Sequence, residues 1–448
     1  MYSPSESTST TLSCSHNAPI ASSSNNTERF QINVCSFNIR YDSLLDFGNK
    51  SWRVRKALVS KFIQDLSHHH PNHQIVPNQG EEGNSSSSPH DQDREETKKP
   101  LLVYTLLGLQ EVLENQLQDI KNYLASSSES SSNTTSTTSS ASILPSQKQT
   151  FGGFSIFSTG REAKNGGEHC TVMVHLHHTD PMMNHPNSDP VATYPTTTTP
   201  NYSSGTFWLS ETPEKPSRYW DAACYRIATW VKVPIPIKRN DQEEGKATGG
   251  STTYHLLYIN THWDHFSSRA CMHSAKLIKN FVKEQVLTNN NSDENLIGVV
   301  VSGDFNCTVE DKAFQELLQP LEIEGSERYG KFSLQFRNSY EYCKEHKLPV
   351  LGKETTFNNW SLNSSKVTRI DHILFAEIPC PPTQGCSTST TTTSPHISFT
   401  PTKYECCQGT AELVMQGSNK KEIIVISDHY PILVNFTLEI ETPRVITQ

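Results

Sequence analysis

Residues 299–306 constrain the fold of this chain more than any other stretch. Their β-branched run, closed by Gly303, predicts a buried strand that stops abruptly at a turn. Asp304 and Asn306 are two residues apart, so their side chains project to the same side if the chain stays extended. A carboxylate there can hold a hard cation or orient a water, and an amide can hydrogen-bond an oxyanion. A turn that merely caps a strand would carry the same two residues.

Five other predicted strands, or the turns that follow them, also carry polar residues that a hydrophobic core cannot use. A single histidine at a strand end is more often a structural residue than a functional one. Recurrence at six of about nine predicted strands is instead what a site assembled from loops at one edge of a sheet requires. The further residues are Asn38; Gln110 and Glu111; His262, Asp264 and His265; Asp371 and His372; and Asp428 and His429.

The 448-residue chain is expected to form one large α/β domain that carries insertions. Its hydrophobic fraction of 34% is low, because polar tracts rich in serine and threonine interrupt an otherwise ordinary core pattern. Helical periodicity predicts helices at about residues 51–66, 113–124 and 267–285. We expect a disordered tail at residues 1–29 and a domain at residues 30–440, with long disordered insertions near residues 68–100, 126–148, 180–204, 238–252 and 381–402.

Charge and composition narrow the functional classes. The formal net charge is −9, and lysine and arginine occur only in short groups, so extended nonspecific binding to nucleic acid is not predicted. Short or small phosphorylated substrates remain compatible with this charge. The N-terminus lacks the apolar run of a signal peptide, no segment is apolar enough to span a bilayer, and the cysteines are scattered. A monomer in the cytoplasm is therefore expected, with the nucleus as the alternative compartment.

The polar residues at the strand ends indicate hydrolysis of a phosphate ester. Attack on phosphorus needs charge neutralisation on the nonbridging oxygens, a positioned water and a stabilised leaving group. Glu111 is the best single candidate to bind Mg²⁺ or Mn²⁺, which prefer hard oxygen ligands. His262 and His429 can supply an acid and a base if a carboxylate orients one of them. Adjacent strand residues face opposite sides, so the sequence leaves open which histidine pairs with Asp428.

Six motifs in this order resemble the endonuclease/exonuclease/phosphatase superfamily, and the resemblance covers about residues 30–439. It implies a four-layer αββα sandwich, the DNase I-like fold, and hydrolysis that depends on a divalent metal. The motifs are Ser36-Phe37-Asn38-Ile39-Arg40, Leu109-Gln110-Glu111-Val112, Asn260-Thr261-His262, Ser302-Gly303-Asp304-Phe305-Asn306, Arg369-Ile370-Asp371-His372-Ile373 and Ser427-Asp428-His429-Tyr430-Pro431.

The resemblance also implies roles for individual residues. Glu111 would bind the metal with support from Asn38, and Asp428 is a further candidate there. Asp304 would orient or deprotonate the attacking water, and Asp428 would orient His429. The implied catalytic set is His262, Asp304, Asn306, Asp371, Asp428 and His429, and the implied phosphate-binding set is Asn38, Arg226 and Asn306.

Residues 207–213 and 220–226 resemble a less characterised microbial branch near the deadenylase-like exonucleases. Arg226 can either reach a phosphate oxygen or form a structural ion pair. Trp263 stands where a leucine commonly follows the histidine in that branch, and we expect its wider side chain to narrow or reshape the site. The aromatic residues of this region can stack a base or a sugar, although packing is their commoner role; they are Trp208, Tyr219, Trp220 and Trp360.

The leading hypothesis from the sequence is a Mg²⁺- or Mn²⁺-dependent phosphodiesterase, a nuclease acting on short or 3′-terminal single-stranded RNA or DNA. A second hypothesis is a phosphatase or phosphodiesterase for a small or lipid-linked phosphate, which the acidic composition favours. A third is a non-catalytic binding module whose Ser/Thr-rich linkers recruit partners.

Overall fold

The computed structural model describes residues 26–67, 101–128, 150–179, 200–238, 251–288, 295–326, 329–363, 366–379, 395–414 and 421–442. The strands are β1 Asn26–Asn38, β2 Leu101–Val112, β3 Thr150–Phe151, β4 Phe154–Phe157, β5 Gly160–Glu162, β6 Gly166–Thr179, β7 Ser203–Trp208, β8 Ile227–Lys238, β9 Ser251–His262, β10 Asn295–Asp304, β11 Leu321–Ser326, β12 Gly330–Leu334, β13 Arg337–Asn338, β14 Val350–Gly352, β15 Asp371–Glu377, β16 His396–Cys406, β17 Thr410–Val414, β18 Lys421–Val425 and β19 Ile432–Thr442. The α-helices are α1 Trp52–Ser67, α2 Glu114–Ser128, α3 Ser268–Thr288, α4 Lys312–Leu318 and α5 Ser339–Glu345.

These strands form two large sheets and two small ones. The first large sheet has the order β14-β16-β19-β1-β2-β6-β4-β3, with β5 paired to β6. The second has the order β13-β15-β10-β9-β8-β7, and β11-β12 and β17-β18 form the two-stranded pairs. The helix α5 is capped at its N-terminus by Asn338, whose side-chain oxygen accepts hydrogen bonds from the backbone N–H groups of Tyr340 and Glu341.

Alternation along β1 gives the first sheet two buried faces. Ile32 and Val34 contribute to the core between the two large sheets, whereas Cys35 and Phe37 contribute to a second core. Residues of α1 and α2 share this second core, so both helices cover the outer face of the first sheet. A strand that is buried on both faces needs apolar residues at successive positions, which is the pattern that the sequence shows here.

The second sheet repeats this arrangement. In β10, Val300 faces the core between the sheets, and Val299 and Val301 join a third core that includes residues of α3 and α4. Each fully buried side chain of this size contributes about 1.5–3 kcal/mol through the hydrophobic effect. The layers therefore run helix, sheet, sheet, helix, and the predicted αββα sandwich is confirmed.

Strand register brings the predicted polar ends to one edge of the sandwich. The strands β1 and β2 are parallel, and Asn38 lies opposite Gln110. In the second sheet, Asp304 of β10 lies opposite His262 of the parallel strand β9 and opposite Asp371 of the antiparallel strand β15. The sequence motifs, although hundreds of residues apart, therefore converge at one place.

Several predicted boundaries are corrected by the structure. The strand β1 begins at Asn26, so residues 26–29 belong to the first sheet and not to the N-terminal tail. The ends of four predicted insertions continue regular elements: α2 extends to Ser128, β7 begins at Ser203, β8 and β9 include residues 238, 251 and 252, and β16 begins at His396. Residues 200–202 and 395 are also described, and the remainder of the tail and of the five predicted insertions lies outside the described residues.

The segment 334–357 contains the short elements β13, α5 and β14. Within the part of the chain that the structure describes, no helix combines the length and the apolar character needed to cross a bilayer.

Candidate active site

Asn38 links two carboxylates that come from different sheets. Its side-chain nitrogen donates to Glu111 Oε1 and to Asp304 Oδ2, each at 3.0 Å. Its oxygen accepts a hydrogen bond from the backbone N–H of Arg40 at 2.9 Å. An amide binds a cation through its oxygen, and here the nitrogen of Asn38 faces the two carboxylates, so Asn38 in this orientation holds the carboxylates in place. Its predicted role as a metal ligand stays a prediction.

An irregularity in β2 turns Glu111 toward this site. The pairing of β2 with β6 skips between Leu109 and Val112, and Glu111 has a left-handed φ of 59°. Because of this β-bulge, the side chains of the neighbouring residues Gln110 and Glu111 point to different places. Glu111 Oε2 accepts from the backbone N–H of Tyr41 at 3.1 Å, whereas Gln110 is buried between the sheets. Positive φ values of non-glycine residues are uncommon and often accompany functional geometry.

Gln110 is a structural residue and not part of the site. Its side-chain nitrogen donates to Asn260 Oδ1 at 2.7 Å and to Ser36 Oγ at 3.1 Å. The side-chain nitrogen of Asn260 in turn donates to the carbonyls of Leu109 and Thr171. Because β2 and β9 belong to different sheets, this buried network ties the two sheets together directly below the site.

His429 is oriented by Asp371. Its Nδ1 lies 2.9 Å from Asp371 Oδ2, a hydrogen bond between fully buried groups. This corrects the expectation that Asp428 orients His429. Asp428 lies in a bend, and its Oδ2 instead lies 3.7 Å from Nη1 of Arg40.

Asp304 stands between the two imidazoles. Its Oδ2 lies 3.5 Å from Nε2 of His262 and 3.7 Å from Nε2 of His429. Burial and the nearby charge of Asp371 raise the pKa of Asp304 to about 7. Burial alone would lower the pKa of His429, but the carboxylates of Asp371 and Asp304 raise it well above its ordinary value.

His262 is in the opposite electrostatic situation. Burial, together with the positive charges of Arg226 and Arg161, lowers its pKa well below the ordinary value. The surroundings therefore favour the neutral form of His262 and the charged form of His429, which is the arrangement that acid and base chemistry needs.

Two residues on the other side of His262 are ones that sequence reasoning missed. Glu168 Oε2 lies 4.0 Å from His262 Nδ1 and accepts a hydrogen bond from Arg161 Nη1 at 2.9 Å. Burial and the charge of Glu111 raise the pKa of Glu168. Neither residue belongs to one of the six motifs, and an acidic residue at the start of β6 carries no distinctive pattern.

Two arginines near the end of β1 were also missed. Nη1 of Arg40 lies 3.7 Å from Asp428 and 4.0 Å from Glu111, and its Nε donates to Asp46 at 3.0 Å. Arg55 is completely buried, and its Nη1 donates to the carbonyls of Ile39 at 2.7 Å and Ile426 at 3.0 Å. Arg40 belongs to the first motif, but a role for Arg55 could not be read from a helical pattern.

Asn306 and Trp263 interact directly, and this corrects one expectation. The side-chain nitrogen of Asn306 donates to the carbonyl of Trp263 at 3.1 Å, and its backbone N–H donates to Asp304 Oδ1 at 2.9 Å. The Trp263 ring is fully buried and packs edge-on against Phe305 in the core beneath α3. Trp263 therefore supports the site from below and does not narrow its opening.

Arg226 forms an ion pair. Its Nε lies 3.7 Å from Asp264 Oδ2, and its Nη2 lies 3.0 Å from Nδ1 of His265. Asp264 also accepts hydrogen bonds from four backbone N–H groups, which lower its pKa although burial opposes this. Arg226 nevertheless lines an open pocket beside Glu168 and His262, so contact with a phosphate stays a prediction.

The aromatic residues have mostly structural contacts. Trp208 is buried, and its Nε1 donates to the carbonyl of Arg161 at 2.7 Å. The ring of Trp220 stacks on His273 with centroids 4.3 Å apart, and Trp360 faces the guanidinium of Arg55. His372, which belongs to the fifth motif, forms hydrogen bonds with the side chain of Asn338 and with the carbonyl of Cys307, and it does not face the site.

The donor set suits a hard divalent cation. Glu111, His262 and Asp304 each offer a ligand atom, and these atoms all lie within 4.8 Å of one another. Asp304, Asp371 and His429 form a second such group, but His429 and Asp371 are already hydrogen-bonded to each other. Two carboxylates with one imidazole are ligands that Mg²⁺ and Mn²⁺ accept. Asp428 belongs to neither group among the described residues.

Comparison with known proteins supports the fold. No family model matches the chain, and no curated protein sequence matches it. Among solved structures, the chain is similar to an endonuclease/exonuclease/phosphatase family protein from Bacteroides thetaiotaomicron, with a TM-score of 0.52 and 21% identity over 92% of this chain and 98% of that one. It is also similar to a mannosyl-6-phosphatase of the same organism, with a TM-score of 0.50 and 21% identity over 90% and 99% of the two chains.

The layers and the edge site thus define a DNase I-like α/β protein. The chain has the fold of the endonuclease/exonuclease/phosphatase superfamily, and the resemblance seen in its six motifs is confirmed at the level of the fold.

Proposed function

We propose that this protein hydrolyses phosphate esters with the help of a divalent cation. One observation carries the proposal: residues from both sheets place two carboxylates, an amide and two imidazoles around one edge site. A hydrophobic core gains nothing from burying these groups, because each loses hydration and must be compensated by a partner. A neighbour in fold is named a phosphatase, which is consistent with this chemistry.

Glu111 and Asp304 would hold the cation, with His262 close enough to complete the site. A bound Mg²⁺ or Mn²⁺ supplies charge neutralisation for the nonbridging oxygens of the substrate. Asn38 fixes the two carboxylates relative to each other across the two sheets.

The remaining steps are assigned to groups of the chain itself. Asp304 orients the attacking water, since its Oδ2 faces the site between the two histidines. His429, held by Asp371, donates a hydrogen bond to a phosphate oxygen in its charged form, and neutral His262 contacts the phosphate or the leaving group.

A small phosphate ester is the substrate class that the charges support best. The net charge is −9, and Arg40, Arg161 and Arg226, the arginines of the site, each lie beside a carboxylate. A polynucleotide needs a row of uncompensated cations for its phosphates. The similarity in fold to a mannosyl-6-phosphatase favours the same class.

A short single-stranded nucleic acid is the second candidate. It is favoured by the loop that carries Tyr219 and Trp220, which is anchored next to the site because Asp264 accepts hydrogen bonds from the N–H groups of Ala223 and Cys224. Tyr219 is exposed and could stack on a base. In that case the protein would be the nuclease that the sequence analysis favours, and it would remove nucleotides from a 3′ end.

A parallel assay tests the proposal and separates the candidates. The full chain is incubated with Mg²⁺ or Mn²⁺, with a panel of phosphate monoesters and diesters in one series and a 5′-labelled single-stranded oligonucleotide in the other. Release of phosphate from monoesters alone supports the first candidate, and stepwise shortening of the oligonucleotide supports the second.

Variants connect the activity to the site. We expect Glu111→Gln and His429→Ala to lower kcat by about 100-fold or more, because each removes a group that contacts the reacting phosphate or its cation. Asp65→Asn, which alters an exposed ion pair on α1, is the control and keeps wild-type activity. Wild-type activity in both site variants would show that another site is responsible.

A further inference from the structure

Large apolar side chains that are exposed to solvent concentrate at the edge of the molecule that holds the site. Leu44, Leu45 and Phe47 follow β1 and are 94%, 81% and 76% exposed. Phe266 follows β9 and is 79% exposed, and Val367, which precedes β15, is 60% exposed. The ends of β1, β9 and β15 next to these exposed residues are also the ends that carry Asn38, His262 and Asp371. Single exposed apolar residues are ordinary, but repetition on three segments around one site is not.

The loop that carries Leu44, Leu45 and Phe47 is fixed from below by the site. Arg40, which lies beside Glu111 and Asp428, donates to Asp46 at 3.0 Å. The backbone N–H of Asp46 donates to the carbonyl of Ser43 at 3.0 Å, and that of Leu45 donates to Ser43 Oγ at 3.2 Å. Polar groups therefore form the base of the loop, and apolar groups form its tip.

The degree of exposure distinguishes a docking surface from a pocket. Side chains that line a binding groove for one small ligand are partly covered by the opposite wall of the groove. Leu44, Leu45 and Phe266 are instead more than three-quarters exposed, so their tips project outward. Proteins that bind the surface of a lipid layer insert projecting leucine and phenylalanine side chains into its interface.

We propose that the exposed residues of the three segments form an apolar rim that docks on a zwitterionic lipid surface and brings a lipid-borne phosphate ester to the site. The apolar rim is defined by Leu44, Leu45, Phe47, Phe266 and Val367. The part of this inference that concerns the substrate rests on the proposed hydrolysis, whereas docking does not.

The charge distribution indicates which lipid surface fits. A chain with a net charge of −9 is repelled by an anionic surface. Shortly after Phe47 in the chain, Lys50 and Arg53 are exposed, the first just before α1 and the second in its first turn. Cations beside apolar tips match the phosphate groups of a zwitterionic surface, where the overall repulsion is small.

Sedimentation with vesicles of pure phosphatidylcholine tests the docking. We expect the wild-type full chain to sediment with the vesicles, and Leu44→Ser/Leu45→Ser to lower the partition coefficient at least about tenfold, because two apolar side chains no longer enter the interface. Phe266→Ser, on a different segment, should lower it as well. Leu351→Ser/Ile423→Ser is the matched control, since both residues are exposed leucine or isoleucine outside the rim, and it should sediment like the wild type.

The outcomes separate docking from chemistry. If the wild type remains in the supernatant, or if the rim and control variants sediment equally, the rim does not dock on lipid and the inference is wrong. Circular dichroism of each variant identifies any that has lost its fold, and the second rim variant then decides. If the wild type binds vesicles but releases no phosphate from soluble or lipid-borne esters, the docking surface stands and the proposed hydrolysis fails.

Discussion

The pKa values of the two histidines of the site are shifted in opposite directions because their neighbours differ. His429 lies 2.9 Å from Asp371 and 3.7 Å from Asp304, so negative charge favours its protonated form. His262 is buried close to Arg226 and Arg161, so its neutral form is favoured. Identical side chains can thus serve opposite purposes because the surrounding residues differ.

The variant Asp371→Asn tests whether Asp371 favours the protonated form of His429. The amide keeps the shape of the side chain but loses the charge that stabilises protonated His429, so we expect kcat to fall roughly 10- to 100-fold. We also expect the pKa of His429, followed by NMR without divalent cation, to move downward. The control Asp65→Asn makes the same chemical change in an exposed pair and should alter neither quantity. Unchanged activity and an unchanged pKa of His429 in Asp371→Asn would contradict the assignment.

At the scale of elements, the sequence predicts the sandwich and most of the site because both depend on local patterns. Apolar runs such as residues 299–301 identify strands that are buried on both faces, and a polar residue after such a run marks the edge where loops meet. The partner of His429 could not be predicted, because it depends on how the start of β15 in the second sheet meets the turn that precedes β19 of the first sheet. Glu168 and Arg55 were not predicted as site residues for a similar reason, since tertiary packing alone brings them near the site.

Close approach of two strands at Gly303 gives a test of the β9–β10 pair. A Cβ at this position would lie 2.0 Å from the carbonyl oxygen of Thr261, and φ is 156°. We expect Gly303→Ala to lower the free energy of unfolding by about 3 kcal/mol, because backbone must move to relieve the clash. Gly48→Ala is the control, since φ is 60° and no atom lies within 4 Å of the added Cβ, and it should cost about 1 kcal/mol. Urea unfolding measures both values, and equal costs would show that β9 and β10 are not so close.

His372 makes the junction between β15, α5 and the turn after β10 sensitive to pH. Its Nε2 lies 3.0 Å from the carbonyl of Cys307 and must donate, while its Nδ1 accepts from the Asn338 amide. That amide cannot turn round without losing the cap of α5, because its oxygen accepts from Tyr340 and Glu341. A second proton on the ring would therefore face another donor, and burial lowers the pKa of His372 to about 4.

The sign of the resulting pH effect follows from linkage. Between about pH 6.5 and 4 the unfolded chain binds a proton at His372 that the native state does not, so native stability falls as the pH falls through this window. We expect the wild type to lose about 3 kcal/mol more than His372→Gln between pH 8 and pH 4 in urea unfolding. Above pH 8 the difference between the two proteins should be constant. Parallel stability curves down to pH 4 would mean that His372 is protonated in the native state.

At the scale of the whole molecule, the candidate metal site lies on the seam between the two sheets. Glu111 belongs to β2 of the first sheet and Asp304 to β10 of the second, and Asn38 bridges them. Without a cation, the carboxylate of Glu111 repels that of Asp304 across this seam whenever Asp304 is ionised, and a bound cation converts the repulsion into attraction. Binding there should therefore stabilise the packing of the whole sandwich and not only the site.

Thermal unfolding measures this effect independently of any substrate. When Mn²⁺ or Mg²⁺ is present at 100 times its Kd, linkage predicts about 2.7 kcal/mol of added stability, a rise in Tm of several degrees for a domain of this size. Glu111→Gln should lose most of this rise, yet without cation it should be at least as stable as the wild type, because one of the repelling charges is gone. Asp65→Asn should keep the full rise, and sodium chloride at equal ionic strength should produce none. If Glu111→Gln responded to the cation as the wild type does, the ion would bind elsewhere and the candidate metal site at the seam would be wrong.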